Sequence, residues 1–145
     1  MKKIIFNSIF ALLFCMNACA DNEKIIAFEQ LPQNAQAVVT TAFKGEQISY
    51  VTEDKDLLNT DYEVRFQSGA KVEFDQNGNL KKVDCNLNQV PDQLIPQQVL
   101  EYVKAKFPNA FITEYGKDDR RWKAELSNKL ELIFDKNYNF VGIDD

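Results

Sequence analysis

The stretch YEVRFQSGAKVEFD, residues 62–75, decides the fold of this chain. In YEVRF the aromatic and aliphatic residues fall on one side and the two charged residues on the other, and KVEF repeats the pattern. The Ser-Gly pair between the two segments suits a tight hairpin turn. Alternation with a period of two predicts antiparallel strands that bury one face and leave the other face polar.

The same pattern returns about sixty residues later, which indicates an internal duplication. WKAEL at 122–126 and ELIFD at 131–135 follow the first stretch at an offset of 60 residues. Each half is preceded by a segment with helical periodicity, opened by Leu31-Pro32 or by Ile95-Pro96, at an offset of 64. The change of offset places four extra residues in the loop 53–61 of the first copy.

Each copy is therefore predicted to form one helix followed by about four short strands. We expect an α+β fold in which both helices pack on one sheet face and the other face is polar and concave. Asn128 and Asn137 are expected to take the left-handed turn positions that Gly69 and Gly78 occupy in the first copy. The predicted division is a signal peptide at 1–20, an N-terminal extension at 21–30, a first repeat at 31–85, a linker at 86–94 and a second repeat at 95–145. The residues predicted to be buried recur between copies: Phe43, Phe66, Phe74, Phe107, Leu126 and Phe134.

The first twenty residues have the pattern of a secretory signal peptide. Two lysines precede an apolar run at 4–16, which is too short to span a membrane, and cleavage is predicted after Ala20. Lipid modification of Cys19 is the alternative, although the preceding residues make a poor lipoprotein signal. We expect a protein secreted to the periplasm or cell envelope, without a transmembrane segment after cleavage and with a lipid tether only in the second case.

Composition excludes several kinds of chemistry. The chain has no His, and only Cys85 remains after signal cleavage, so we expect no cofactor and no transition-metal site. A formal net charge of -5 argues against nucleic acid as a partner. The segment 75–79, DQNGN, resembles the start of a calcium loop but lacks the bidentate Glu, so it is interpreted as a turn. No nucleophile or phosphate-binding motif is present, and we expect no enzyme activity.

The two-copy pattern resembles a known family. The Leu-Pro helix opening, YEVRF, GAKVEFDQNGN and the second FDKN resemble the PepSY-like, beta-lactamase-inhibitor-like family of secreted proteins from gut and oral Bacteroidetes. The resemblance covers about residues 31–144 and implies two helix-plus-four-strand units with a concave polar surface. The family name implies likeness to protein inhibitors of enzymes, not inhibition itself.

The polar sheet face is the candidate binding surface. We expect a secreted, non-enzymatic module that recognises an unidentified protein or peptide there, as an inhibitor or regulator, with Ile133 as an apolar anchor. The alternative is a small-molecule or ion binder in the cleft between the repeats, near the join at 85–93. The charged hairpin tip at 118–121 is a rival contact site. The candidate partner-binding residues are Glu63, Arg65, Lys71, Glu73, Lys123, Glu125, Glu131 and Ile133.

Overall fold

A computed structural model describes residues 22–144 of the chain, so the predicted signal peptide, with Cys19 and Ala20, lies outside the described residues. Within these residues the fold has two α-helices, two three-residue 3-10 helices and nine strands. The helices are α1 (Gln33–Ala42) and α2 (Gln97–Lys106). The strands are β1 (Glu23–Ile26), β2 (Ile48–Lys55), β3 (Thr60–Phe66), β4 (Lys71–Phe74), β5 (Leu80–Asp84), β6 (Ile112–Asp118), β7 (Arg121–Leu126), β8 (Glu131–Phe134) and β9 (Phe140–Asp144).

The nine strands form one antiparallel sheet in which neighbours in sequence are neighbours in space. The predicted α+β duplication is confirmed: α1 precedes β2 to β5, and α2 precedes β6 to β9. The copies join where β5 pairs with β6, with Val83 opposite Tyr115 and Asp84 opposite Glu114. The sheet is therefore continuous from one copy to the other.

The core lies between the helices and one sheet face. Its centre is a row of buried side chains that runs across the sheet at paired positions: Val64, Val72, Val83, Tyr115, Ala124 and Leu132. Each helix contributes its apolar stripe, with Ala35 and Val39 buried from α1 and Val99 and Val103 from α2. Both helices thus cover the face that the alternation predicts to be apolar.

Five of the six residues predicted to be buried are buried, and Phe107 is half-buried. Phe43 ends α1 and stacks on the ring of Phe66, with the ring centroids 4.6 Å apart. Phe107 ends α2 in the same way, but the residue equivalent to Phe66 is Leu126, which offers no ring. Phe107 therefore lacks the ring stacking that Phe43 has in the first copy.

The prediction for the turns of the second copy is wrong. The left-handed residues are Lys129 (φ 72°) and Tyr138 (φ 64°), not the asparagines before them. Asn128 instead accepts the N–H of Leu130 through its side chain, at 3.3 Å. The second copy therefore keeps the turn shape that Gly69 and Gly78 define in the first copy, but with side chains that adopt it less readily.

Two features near the start of the sheet go beyond what the sequence predicts. Residues of the N-terminal extension form β1, which pairs with β2 and places Ile26 opposite Val51. The four extra residues lengthen the β2–β3 hairpin by one residue pair, Lys55 with Thr60, and widen its turn. Within residues 22–144, no helix is long and apolar enough to cross a membrane.

Candidate functional site

The structure brings all eight candidate residues onto the sheet face opposite the helices. They occupy two adjacent rows that run across the strands, because paired residues on neighbouring strands share a face. One row holds Glu63, Glu73, Lys123 and Ile133, and the other holds Arg65, Lys71, Glu125 and Glu131.

The middle of this face comes from residues that the sequence analysis missed. Lys82 and Asp84 of β5 and Glu114 of β6 continue the same two rows between the copies. A signal was present in the sequence, because Lys82 and Asp84 alternate with the apolar Val83. We define the polar face as the two rows together with these three residues.

Ion pairs tie the polar face together. Lys82 contacts Glu114 at 2.6 Å and so links β5 to β6 across the join. Lys123 contacts Glu131 at 2.6 Å, with Asp118 and Asp144 at 3.4 and 3.5 Å. The hydrogen bond to Glu131 raises the pKa of Lys123, so this ammonium stays charged at any physiological pH. Carboxylates outnumber basic side chains here, so the face is acidic overall.

Two contacts position the side chain of Arg65, which is partly exposed. Its Nε and Nη2 donate to the same Glu63 oxygen at 2.9 and 2.8 Å. The guanidinium lies over the ring of Tyr50, 5.9 Å from the centroid, and the Glu63 hydrogen bond raises the pKa of Arg65. An arginine ordered by a carboxylate and an aromatic ring loses little side-chain entropy when it binds a partner.

An open hollow of about 880 Å³ lies at one end of the polar face. Lys123, Ile133 and Asp144 line it together with the hairpin tip 118–121. Ile133 is half-buried rather than exposed as expected, because the surrounding charged side chains cover part of it. The hairpin tip is thus contiguous with the polar face.

The tip of the longer β2–β3 hairpin carries an exposed apolar pair that the sequence analysis did not select. Leu57 and Leu58 are almost fully exposed, at 102% and 87%. The Asp56 N–H donates to the Asn59 carbonyl and closes the turn that presents them. Two leucines between turn-forming residues are the signal in the sequence for this exposed pair.

The join between the copies holds two small grooves. One, of about 220 Å³, lies between α2 and β6 and is lined by Gln89, Asp92 and Leu100 among others. The second, of about 130 Å³, is lined by Phe43, Ser68 and Cys85 among others. Burial raises the pKa of the Cys85 thiol to about 11, which makes it a poor nucleophile at neutral pH. Polar and apolar groups therefore do converge at the join, but the grooves that they line are small.

The segment that resembles a calcium loop is a turn in both copies. The Asp75 carboxylate accepts the backbone N–H groups of Asn77 and Asn79 and the Asn79 side-chain amide, at 2.8–2.9 Å. Asp135 makes the same three hydrogen bonds in the second copy, and those from Asn139 lower its pKa. Among residues 22–144, no group of three or more Cys, Asp or Glu side chains lies close enough to hold a metal ion.

Comparison with solved structures finds the same fold in Bacteroides proteins. A protein from Bacteroides thetaiotaomicron described as a "putative calcium-regulated periplasmic protein" is 36% identical, with a TM-score of 0.82. A "putative periplasmic protein" of the DUF2874 family from Bacteroides vulgatus is 32% identical, with a TM-score of 0.83. Each alignment covers 87% of this chain and 99% of the other. A third, from Bacteroides vulgatus and of unknown function, is 26% identical over 85% of this chain and 99% of its own, with a TM-score of 0.79.

Fold and site together define a class: α+β proteins built from two helix-plus-strand repeats, with one helix-covered and one charged sheet face. Residues 60–142 match the family described as "putative beta-lactamase-inhibitor-like, PepSY-like". The chain belongs to this PepSY-like family, as the resemblance implied. No curated protein is significantly similar to it.

Proposed function

We propose that this protein is a periplasmic, non-enzymatic binding module that recognises a protein or peptide through its polar face. The observation that carries the proposal is Arg65, which Glu63 and Tyr50 hold in place at the surface. Arginine and tyrosine are enriched among the few residues that dominate the affinity of protein interfaces. The periplasmic location is supported by the relatives, which are described as periplasmic.

The charge of the polar face indicates the chemistry of the partner. Carboxylates outnumber the basic side chains, and Lys82 and Lys123 are already paired with carboxylates of this chain. A partner surface with a net positive charge would therefore be favoured, with association that weakens as salt increases. Ile133 and the exposed Tyr50 add apolar contacts at opposite ends of the face.

The alternative, a small-molecule binder at the join, has weaker support. The grooves of about 220 and 130 Å³ are smaller than typical ligand pockets, which begin near about 300 Å³. Calcium regulation is stated for the relative from Bacteroides thetaiotaomicron alone. A ligand screen by thermal shift, with CaCl2 included, addresses both: a saturable shift that Arg65→Ala leaves unchanged would favour the alternative.

The test compares immobilised variants for capture of proteins from an envelope extract of the source organism. Arg65→Ala should reduce capture of a specific partner about 30-fold, since truncation of a hot-spot arginine costs about 2 kcal/mol. Its melting temperature should stay within about 2 °C, because an exposed ion pair contributes little to stability. Mass spectrometry with isotope labels gives the ratio of captured protein.

Two control variants test which surface of the protein binds the partner. Lys106→Ala removes an exposed cation from α2, on the helix side of the sheet, and should capture the partner normally. Asp119→Asn combined with Arg120→Ala neutralises the hairpin tip next to the hollow. Normal capture by Arg65→Ala together with loss of capture by the tip variant would show that the tip, not the polar face, carries recognition.

A further inference from the structure

The sheet has two edge strands, β1 and β9. Within residues 22–144 neither has a pairing partner on its outer edge, but only β9 has an equivalent strand inside the sheet. Two apolar side chains of β9 are half-exposed, Val141 at 52% and Ile143 at 48%, and Ile143 lies on the helix-covered face because it pairs with Leu132. An apolar strand edge with unpaired N–H and C=O groups is a template for the addition of another strand.

The internal repeat shows what such an edge accepts. β9 is the second-copy equivalent of β5, and β5 uses its outer edge to bind β6. Val83, the equivalent of Ile143, is fully buried there opposite Tyr115. The same position is thus covered by an aromatic residue in one copy and half-exposed in the other.

The directions of the backbone N–H and C=O groups in β9 can be inferred from those in β5. The Cys85 N–H donates to the Thr113 carbonyl at 2.9 Å. Because hydrogen-bonded pairs alternate along an antiparallel ladder, Val83 two residues earlier also directs its N–H and C=O towards β6. The equivalent groups of Ile143 therefore point outward from the sheet.

The charge expected of a segment that pairs with β9 differs from the charge of β6. In the first copy, Glu114 lies opposite Asp84, and Lys82 neutralises Glu114 at 2.6 Å. In the second copy Gly142 replaces Lys82, and a side chain built on Gly142 would meet no atom within 4 Å. An acidic residue opposite Asp144 would have no equivalent of Lys82 to neutralise it. A basic residue is therefore favoured at this position. A second copy of this acidic chain would bring further carboxylates to the same edge.

We propose that the outer edge of β9 is a strand-addition site for an extended segment of another protein, which pairs antiparallel with β9. The segment places an aromatic residue opposite Ile143 and, immediately before it in sequence, a basic residue opposite Asp144. This site adjoins the polar face at Asp144, which contacts Lys123 at 3.5 Å, but it does not depend on the function proposed for that face.

The chain supplies its own probe. A capped peptide with the β6 sequence 112–118, ITEYGKD, and Glu114→Lys has the predicted basic-aromatic order. In an NMR titration of the folded protein, the amide shifts should concentrate at residues 141–144, and hydrogen exchange at the Ile143 N–H should slow about tenfold at saturation. At low salt, the unmodified peptide should bind about fivefold more weakly than the Glu114→Lys peptide. At high salt, the difference between the two affinities should be smaller.

Matched controls test the strand pairing without disturbing the fold. N-methylation of the peptide's tyrosine amide removes the N–H that would bond to Ile143 and should abolish binding. Ile143→Ala should weaken binding, whereas Ile25→Ala, at the exposed isoleucine of the opposite edge strand, should not. Arg65→Ala should bind the peptide normally, which separates this site from the polar face.

Several results would overturn the proposal. Shifts centred on β1 or on Arg65 at the far end of the polar face, or equal binding of the N-methylated peptide, would show that β9 does not add a strand. Absence of saturable binding at millimolar peptide would do the same. A concentration-dependent dimer of the protein alone, lost in Ile143→Ala, would show that a second copy occupies the edge instead.

Discussion

Single residues at the turns set how closely the helices approach the sheet. Gly69 and Gly78 both have positive φ, at 90° and 78°. A Cβ on Gly69 would lie 3.9 Å from its nearest neighbour, the side chain of Asn86, whereas one on Gly78 would lie 2.8 Å from the backbone nitrogen of Ala35. Gly78 therefore has a second role, because it lets the β4–β5 turn contact the first turn of α1.

This contrast predicts unequal losses of stability. Gly69→Ala should cost about 1 kcal/mol, which is the strain of a left-handed alanine. Gly78→Ala should cost roughly 2–4 kcal/mol, since the helix backbone must also move. Urea unfolding of the two variants measures the difference. Equal losses would contradict the close approach of turn and helix.

Cys85 predicts a pH dependence. Burial raises the pKa of its thiol from 9.0 to about 11, so between these values the unfolded chain loses this proton while the folded protein keeps it. Folding stability from this group is fully present below pH 9 and decreases as the pH rises towards 11. Between pH 9 and pH 11, the free energy of unfolding of the wild-type protein should decrease by about 1–2 kcal/mol more than that of Cys85→Ala.

Urea melts of both proteins across that range provide the measurement, since the variant subtracts the titration of lysines and tyrosines. A parallel check uses a thiol reagent at neutral pH, which should react slowly with the folded protein and quickly in urea. Identical pH profiles for the two proteins would show that the thiol ionises in the folded state as it does in the unfolded chain.

At the scale of elements, the repeat predicts equal roles for equivalent core residues. Phe74 in β4 and Phe134 in β8 are both fully buried against the helices. Truncation of either to alanine should cost about 3–5 kcal/mol, from lost apolar burial and the cavity left behind. Ile25→Ala, on an exposed side chain of β1, should change stability by less than about 0.5 kcal/mol and serves as the control. Losses below about 1 kcal/mol at both phenylalanines would show that the core is elsewhere.

Elements with a repeated pattern could be predicted from the sequence, and isolated ones could not. The strands β3, β4, β7 and β8 each alternate, and each has a counterpart at a constant offset. Strand β1 has neither signal, because EKII is four residues long and has no equivalent in the second copy. Its pairing depends on the exposed edge of β2, which is a tertiary property.

The candidate site was predictable only in part for a related reason. Alternation assigns residues to a face, so the eight candidates were placed together correctly. Alternation does not show which strands are adjacent across the join, so the Lys82–Glu114 pair in the middle of the face was missed. The ordering of Arg65 by Tyr50 also depends on the pairing of β2 with β3.

At the scale of the whole molecule, the two copies share one sheet and one core. Val83 of β5 and Tyr115 of β6 are fully buried opposite each other, so the boundary between the copies lies inside the core. Trp122, the single tryptophan, stacks on Tyr115 with the ring centroids 5.2 Å apart and belongs to the second copy. Its fluorescence therefore reports the second copy, whereas far-UV circular dichroism reports both.

We predict that the two copies unfold as one cooperative unit. Phe74→Ala lies in the first copy, yet it should lower the urea midpoint seen by Trp122 fluorescence by the same amount as the midpoint seen by circular dichroism. Phe134→Ala, in the second copy, should shift both signals equally as well. If the copies were independent, Phe74→Ala would leave the Trp122 transition in place and split the circular dichroism curve into two steps. Coincident shifts in both variants are expected, because the β5–β6 pairing gives neither copy a complete core without the other.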